Sequence, residues 1–564
     1  MQVLQGLILL LLVGSLTALP NSLSASGLNG AVVSNAPGCA QVGRDILKKG
    51  KNVVDAVIAT AFCEGVRNPT TIGVGGGFLA TYYNKAKNKA YSIDSRERAP
   101  YAATEDMFVR NQSLAIRGGL SVAVPGETRG YWILYNKFGG GVPWSSLVEP
   151  TIKLCEEGIE MNELTYNNLR DLIDVVRGDR GLREIFINPA TDQVYKKGEK
   201  YRRVKFAQTL RVIAREGGNA LHDGSLTKNF VADIKANGGI ITVKDLADFK
   251  VEFLNPINTT FSGKQIYSFP LPGSGIIMTY ILNILENYLP RNDHFSVKTY
   301  HRIIEALKYG YAMRSGLGDK DFVPGLDDMV AKLSSKRFAA ETRQKITDFK
   351  TFNDATHYGA TFESIQDHGT ANLCVWGPNG DGIALTTSIN YILGAGFVSE
   401  STGIILNDSM DDFSTPGLVN EYGYLPSPSN FIRPGKRPQS SMCPTVILDK
   451  RNDLFMIVGG AGGSKIISSV TQVILNRLYF NMDVESASGL QRIHHQLFPM
   501  TLDMEDDWVH QNPEVVRGLQ SKGHNLTISY PDGFVAVTTI SLDMYKRSIV
   551  GVYDKRRSGS VAYM

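Results

Sequence analysis

The stretch Asp367-His368-Gly369-Thr370-Ala371-Asn372-Leu373-Cys374-Val375-Trp376-Gly377-Pro378-Asn379-Gly380-Asp381-Gly382-Ile383-Ala384-Leu385-Thr386-Thr387-Ser388 holds two short apolar runs on either side of a turn. Leu373–Trp376 and Ile383–Thr387 read as strands. Pro378-Asn379-Gly380-Asp381-Gly382 supplies the reversal, because proline presets φ and glycine reaches the conformations a tight turn needs. The segment is therefore expected to form a hairpin.

Working outward, a further strand at Leu454–Val458 runs into Gly459-Gly460-Ala461-Gly462-Gly463. That glycine stretch lacks a phosphate-loop G-x-x-x-x-G-K-[ST] pattern. It reads either as a tight turn or as backbone that approaches a ligand and offers N–H groups to an oxyanion. Gly75-Gly76-Gly77 carries the same two readings. Ala207–Glu216 and Tyr300–Tyr311 have apolar residues at helical spacing. With 564 residues, a quotient of about four domains would be the simplest prior. No internal repeat and no long Pro/Ser-rich linker supports it.

The apolar fraction is 43% and the charged fraction 20%. This is a globular composition, and it excludes a disordered, collagenous or coiled-coil chain. Basic and acidic residues number 59 and 55, for a net charge of +4. So balanced a chain, with no basic tract, argues against a nucleic-acid partner.

The first charged side chain is Arg44, and Gly6–Leu19 is an apolar run. It is short for roughly 30 Å of hydrocarbon but suits a signal peptide, here bounded at about residues 1–25. A secreted chain without a stable membrane anchor is expected. Five cysteines, an odd number, leave at least one unpaired within the chain. No spacing suggests a metal, and nothing calls for a cofactor. His494 and His495 are adjacent, a poor geometry for one ion. Sequons at Asn111, Asn258, Asn407 and Asn525 are expected surface glycosylation positions.

Several polar segments would each pass for a solvated loop: Asp94-Ser95-Arg96-Glu97-Arg98, Asn407-Asp408-Ser409-Met410-Asp411-Asp412-Phe413 and Ser440-Ser441-Met442-Cys443-Pro444-Thr445. Together with Asp55-Ala56-Val57, Val124-Pro125-Gly126 and Pro434-Gly435-Lys436-Arg437-Pro438, they form an ordered set. In that set the chain resembles the γ-glutamyltranspeptidases (γ-glutamyltransferases), from about Asn35 to the tail. The resemblance implies an α+β fold of the N-terminal-nucleophile hydrolase type, a four-layer αββα sandwich. It implies a precursor that cuts itself before Thr370 into a large chain, 26–369, and a small one, 370–564. Both would stay together as a heterodimer in one folded unit.

The chemistry of that arrangement is coherent. A threonine hydroxyl needs a base. Cleavage before Thr370 would create an α-amine on the same residue, with a reference pKa of about 7.7–8.0. By the resemblance, Gly462 and Gly463 offer N–H groups to the oxyanion, and Ser388 supports the Thr370 hydroxyl or amine. Arg96, with Ser440 and Ser441, takes the substrate α-carboxylate; Asn390 and Asp412 take the α-ammonium. Glutathione and other γ-glutamyl compounds are the implied donors, and water, amino acids or dipeptides the acceptors. Cys39 and Cys63 match the family's large-chain disulfide.

Four positions depart from the family pattern. Asn372 replaces a histidine, Ser388 a threonine and Leu393 an aromatic residue. Ser409 replaces a Glu or Gln that binds the ammonium, which implies weaker glutamyl binding. A glycan on Asn407 would crowd the pocket. These departures motivate an alternative, a catalytically impaired secreted relative acting as a binding protein; secreted relatives occur in insect venoms.

Overall fold

The structure, a computed structural model, describes residues 29–362, 369–417, 423, 425–530, 534–543 and 547–564. The expected signal segment and Asp367 and His368 lie outside them. The hairpin forms as its turn residues require. Strands Ala371–Trp376 and Gly382–Ser388 pair antiparallel with Leu373 opposite Leu385. Gly380 takes φ +82° in the reversal, and Gly377 N–H donates to the Asp381 carbonyl at 2.9 Å.

Every residue of both strands is buried, so neither face meets water. Successive side chains point to opposite faces. Leu373 and Val375 join a core that includes Val54, Val57 and Ile58 of helix Val53–Arg67. Cys374 and Trp376 instead join Val446, Ile457 and Ile540, which belong to another sheet. One hairpin thus faces a helix layer on one side and a second sheet on the other.

The rest of the chain repeats this logic. Seven strands form the first sheet, in the order Ser560–Tyr563, Ala31–Ser34, Ala371–Trp376, Gly382–Ser388, Gly77–Asn84, Lys89–Ser95 and Glu252–Leu254. Six form the second, in the order Ser548–Val552, Ala536–Asp543, Leu454–Ala461, Thr445–Leu448, Lys264–Ser268 and Ile257–Phe261. Met456 and Val458 point away from the first sheet into a core shared with helices Gly275–Leu285, Val297–Arg314 and Ile466–Ile474. The order helix, sheet, sheet, helix is the expected αββα sandwich. Segments on both sides of residue 370 interleave in the first sheet.

The strand expected to end at Val458 continues to Ala461 through two glycines. Gly459 lies against Asn372; a Cβ there would stand 2.2 Å from the Asn372 Oδ1. Glycine in a strand interior marks such a close approach.

The Asp55 motif has a local role. Asn52 caps helix Val53–Arg67 by accepting from Val54 N–H at 2.8 Å. The Asp55 carboxylate accepts from the amides of Gly140, Gly141 and Val142. Cys39 and Cys63 form a disulfide with Cα atoms 5.5 Å apart, tying helix Cys39–Gly50 to Val53–Arg67. Cys155, Cys374 and Cys443 are buried. Among the described residues no helix is long and apolar enough to cross a membrane.

Candidate active site

Thr370 sits immediately before strand Ala371–Trp376, 2% exposed. Its φ is +147°, following Gly369 at φ +43°. A β-branched residue at positive φ is a strained conformation. A Cβ at Gly369 would meet the Asn390 carbonyl at 1.9 Å, so only glycine fits before Thr370. The Thr370 hydroxyl accepts from the Gly462 N–H at 3.3 Å. Gly462 and Gly463 have φ of +142° and +65°, which presents the turn after Leu454–Ala461 to Thr370.

Ser388 ends the neighbouring strand. The register sets Thr387 opposite Ala371, which brings Ser388 alongside Thr370. Its hydroxyl accepts from the Asn390 N–H at 2.8 Å rather than bonding Thr370. Asn390 Nδ2 donates to the Asp408 carbonyl at 3.3 Å. The chain then enters the short turn Ser409–Asp412.

That turn meets Arg96. The Arg96 guanidinium donates to the Asp412 carboxylate, and its Nη1 to Glu97 Oε2 at 3.3 Å. All three side chains are at most 2% exposed. The two residues assigned to opposite charges of the substrate therefore touch. An α-amino acid carries both of its charges on one carbon, so adjacent complementary groups suit it. Ser409 donates to Glu97 Oε1 at 3.0 Å. Ser441 accepts from Arg314 Nη2 at 2.9 Å, and Ser440 Oγ from Met442 N–H at 3.2 Å.

The glycines at 75–77 prove to be a crossing point. A Cβ at Gly76 would meet the Ser388 carbonyl at 2.0 Å, and one at Gly77 the Ser95 carbonyl at 2.5 Å. They let the chain bearing Ser388 lie against the chain bearing Arg96.

The sequon at Asn407 is corrected. Asn407 is fully buried, and its Nδ2 donates to the carbonyls of Gly75 at 2.7 Å and Ala123 at 2.9 Å. A glycan on that nitrogen cannot coexist with the fold. Asn111, Asn258 and Asn525 are exposed. Two of the departures are buried in the packing of the fold. Leu393 packs into the first core. The Asn372 amide is hydrogen-bonded to the hydroxyls of Thr386 and Thr538 at 2.7 and 2.6 Å, between the sheets.

Other residues of the site were not singled out from sequence. Arg557 Nη1 donates to the Thr370 carbonyl at 3.0 Å, from the far end of the chain. Glu127 accepts from Thr387 Oγ1 at 2.8 Å and from Tyr131. Burial pushes the Glu127 carboxyl up to about 8, against the two hydroxyls that pull it down. Burial likewise raises Glu64 to about 8, with Ser34, the Asn35 amide and Arg557 opposing. Glu97 is raised by burial, less so because Arg96 is beside it.

Glu127 gives a signed pH dependence. The folded state holds its proton up to about 8, while the unfolded chain releases it near 4.5. Its contribution to stability is complete below about 4.5 and is lost as pH rises to about 8. Glu127→Gln keeps the shape and removes the titration. The variant's melting temperature should gain on the parent's between pH 5 and 8; calorimetry at both values measures it. Parallel pH profiles for the two proteins would remove Glu127 as the source of the slope.

The fold and the threonine beside a glycine turn define an N-terminal-nucleophile hydrolase architecture. The profile of the family described as Gamma-glutamyltranspeptidase matches residues 39–564. The chain belongs to that family. It is 38% identical over 573 residues to glutathione hydrolase 2 of Arabidopsis thaliana, covering 98% of this chain and 97% of the relative. It is 38% identical over 543 residues to scoloptoxin SSD14 of Scolopendra dehaani, covering 94% and 92%. Cephalosporin acylase from Bacillus halodurans shares the fold, at TM-score 0.83 and 23% identity over 99% of both chains. Helicobacter pylori γ-glutamyltranspeptidase superposes at TM-score 0.54 and 30% identity, over 58% of this chain and 94% of that one.

Proposed function

We propose that this chain is a secreted, self-processing γ-glutamyl hydrolase and transpeptidase acting on glutathione and related compounds. The observation that supports this reading is the hydrogen bond from the Gly462 amide to Thr370 Oγ1, beside the buried pair of Arg96 and Asp412 that could take the two charges of a glutamyl head. Once Gly369 and Thr370 part, the new α-amine takes the hydroxyl proton as Oγ1 attacks the γ-carbonyl. The Gly462 N–H, with that of Gly463, stabilises the oxyanion; one such donor is worth about 2.7–4 kcal/mol in hydrolases where it has been removed. The protonated amine then protonates the departing amine, cysteinylglycine when glutathione is the donor. Water, an amino acid or a dipeptide takes the glutamyl group from the ester, restoring Thr370. The two chains, 26–369 and 370–564, would remain one unit because strands from both are interleaved in the first sheet.

Release of the aromatic amine from a γ-glutamyl anilide tests this, alongside intact mass under denaturing conditions. Two chains, the smaller starting at Thr370, with anilide turnover are expected. One uncut chain without turnover would favour the alternative of an impaired secreted binding protein.

Ser409 gives a finer prediction. Its short side chain is committed to Glu97, so the substrate ammonium has Asp412 as its anionic partner. A charge-assisted hydrogen bond is worth about 1.5–3 kcal/mol. Ser409→Gln restores an oxygen of longer reach without adding a charge beside Glu97. KM for the γ-glutamyl anilide should fall about tenfold with kcat little changed. An unchanged KM would remove position 409 from the ammonium site.

A further inference from the structure

The reaction above leaves unused a group of side chains inside the second helical layer. Helix Val297–Arg314 carries His301 and Glu305 one turn apart, on a single face. His524, ahead of strand Leu526–Ser529, closes on them. One ligand atom from each of the three lies within 4.8 Å of the others, and all three residues are buried.

The hydrogen bonds fix which atoms can act. His301 Nε2 lies 2.7 Å from the Thr347 carbonyl, which can only accept. Nε2 therefore carries the proton and Nδ1 presents a lone pair. That Nδ1 is 2.8 Å from His524 Nε2. His524 Nδ1 is buried with no hydrogen-bond partner among the described residues, on a side chain 4% exposed. Glu305 accepts from the Thr351 hydroxyl at 2.6 Å and from Tyr358 at 2.9 Å.

We propose that His301, Glu305 and His524 form a binding site for one borderline divalent metal ion of the Zn²⁺ type. Two imidazole nitrogens and a carboxylate oxygen are a recurrent Zn²⁺ donor set. The Thr347 carbonyl supplies the outer partner that fixes a metal-binding histidine's tautomer, and Thr351 and Tyr358 hold the carboxylate. Bonds of about 2.0–2.1 Å place two nitrogens roughly 3.3 Å apart, so the His524 ring must retreat by about 0.5 Å. Its Nε2 proton moves to Nδ1, so the hydrogen bond it gives to His301 Nδ1 is exchanged for the two metal–nitrogen bonds. The opposing feature is Lys308, whose Nζ is 3.8 Å from Glu305 Oε1 and donates to Thr351 Oγ1 at 2.6 Å.

The ion would brace the helix against Thr347–Tyr358, the segment that leads toward Thr370. The far end of the same helix already reaches the candidate site. Tyr311 donates to the Ser464 carbonyl at 2.5 Å, and Arg314 to Ser441. The expected readout is thus metal content and thermal stability, which do not depend on the catalytic reading.

The test uses the full chain expressed with zinc supplementation, then exchanged with Co²⁺. One metal per chain, a visible Co²⁺ spectrum of low coordination number, and a melting temperature raised by metal are expected. His524→Ala and His301→Ala should each weaken Zn²⁺ binding by about 100-fold or more, since even outer partners change affinity 10–100-fold. Lys308→Met, which keeps the ligands and removes the competing cation, should bind Zn²⁺ more tightly. A folded parent protein with far less than one metal per chain after loading would overturn the proposal. So would histidine variants that bind like the parent, or a Lys308→Met protein that binds no more tightly.

Discussion

Thr370→Ala is expected to remain a single uncut chain and to lose γ-glutamyl anilide turnover by about 10⁴-fold or more, the scale at which nucleophile–base units fail. Two functions disappear with one oxygen. In the maturation proposed here, Thr370 Oγ1 would add to the Gly369 carbonyl, the Gly369–Thr370 peptide nitrogen would leave, and water would hydrolyse the resulting ester. This frees the Gly369 carboxylate and the Thr370 amine. In the turnover proposed above the same Oγ1 would attack substrate, with the amine as its base. The local backbone favours the first step. Positive φ at Thr370 is a strained conformation for a β-branched residue, of order 1–3 kcal/mol, that cleavage before it can relieve. Thr370→Ser keeps the oxygen and should still be cut and turn over. Mass spectrometry separates the arms, and a cut, active alanine variant would transfer both roles to another residue.

The parts of the fold legible in sequence were those set by local pattern. Apolar runs on either side of Pro378–Gly382 specify a hairpin whatever surrounds it. The full burial of both its faces became visible only with the helix layer and the second sheet in place. By the family resemblance, the motifs assign Arg96, Asn390, Asp412 and the glycine pair at 462–463 to one substrate site. What stayed hidden depends on contacts between distant segments. The strand through Gly459 and Gly460 looked like a turn because its reason, the Asn372 side chain of the facing sheet, lies 87 positions away in the chain. A sequon is a three-residue pattern and carries no burial, so the burial of Asn407 is not written in the pattern it shares with Asn111. Glu127 and Arg557 have no motif of their own. Each becomes a site residue through one bond, to Thr387 or to the Thr370 carbonyl. His524 is likewise joined to His301 only by folding across 223 positions.

Arg96→Lys separates charge from shape at the head of the substrate. Arg96 is buried between Glu97 and Asp412. Removing its charge altogether would leave two carboxylates without their cation, at a cost of about 3–5 kcal/mol for breaking such a pair. A glutamine variant would therefore confuse binding with folding. Lysine retains the positive charge and keeps both acids compensated. It loses the planar fork, which holds a carboxylate through two parallel hydrogen bonds, and with it the orientation those bonds impose. Loss of one charge-assisted bond of about 1.5–3 kcal/mol should raise KM for the γ-glutamyl anilide ten- to a hundredfold. Maturation should proceed, because the cut at Gly369–Thr370 involves no substrate carboxylate. Anilide kinetics and intact mass on the same preparation measure both. A lysine variant with parental KM would mean that the α-carboxylate is held elsewhere, with Ser440 and Ser441 the next groups to remove. An uncut lysine variant would instead give Arg96 a part in ordering Asp412 and the turn Ser409–Asp412 before Thr370 can act.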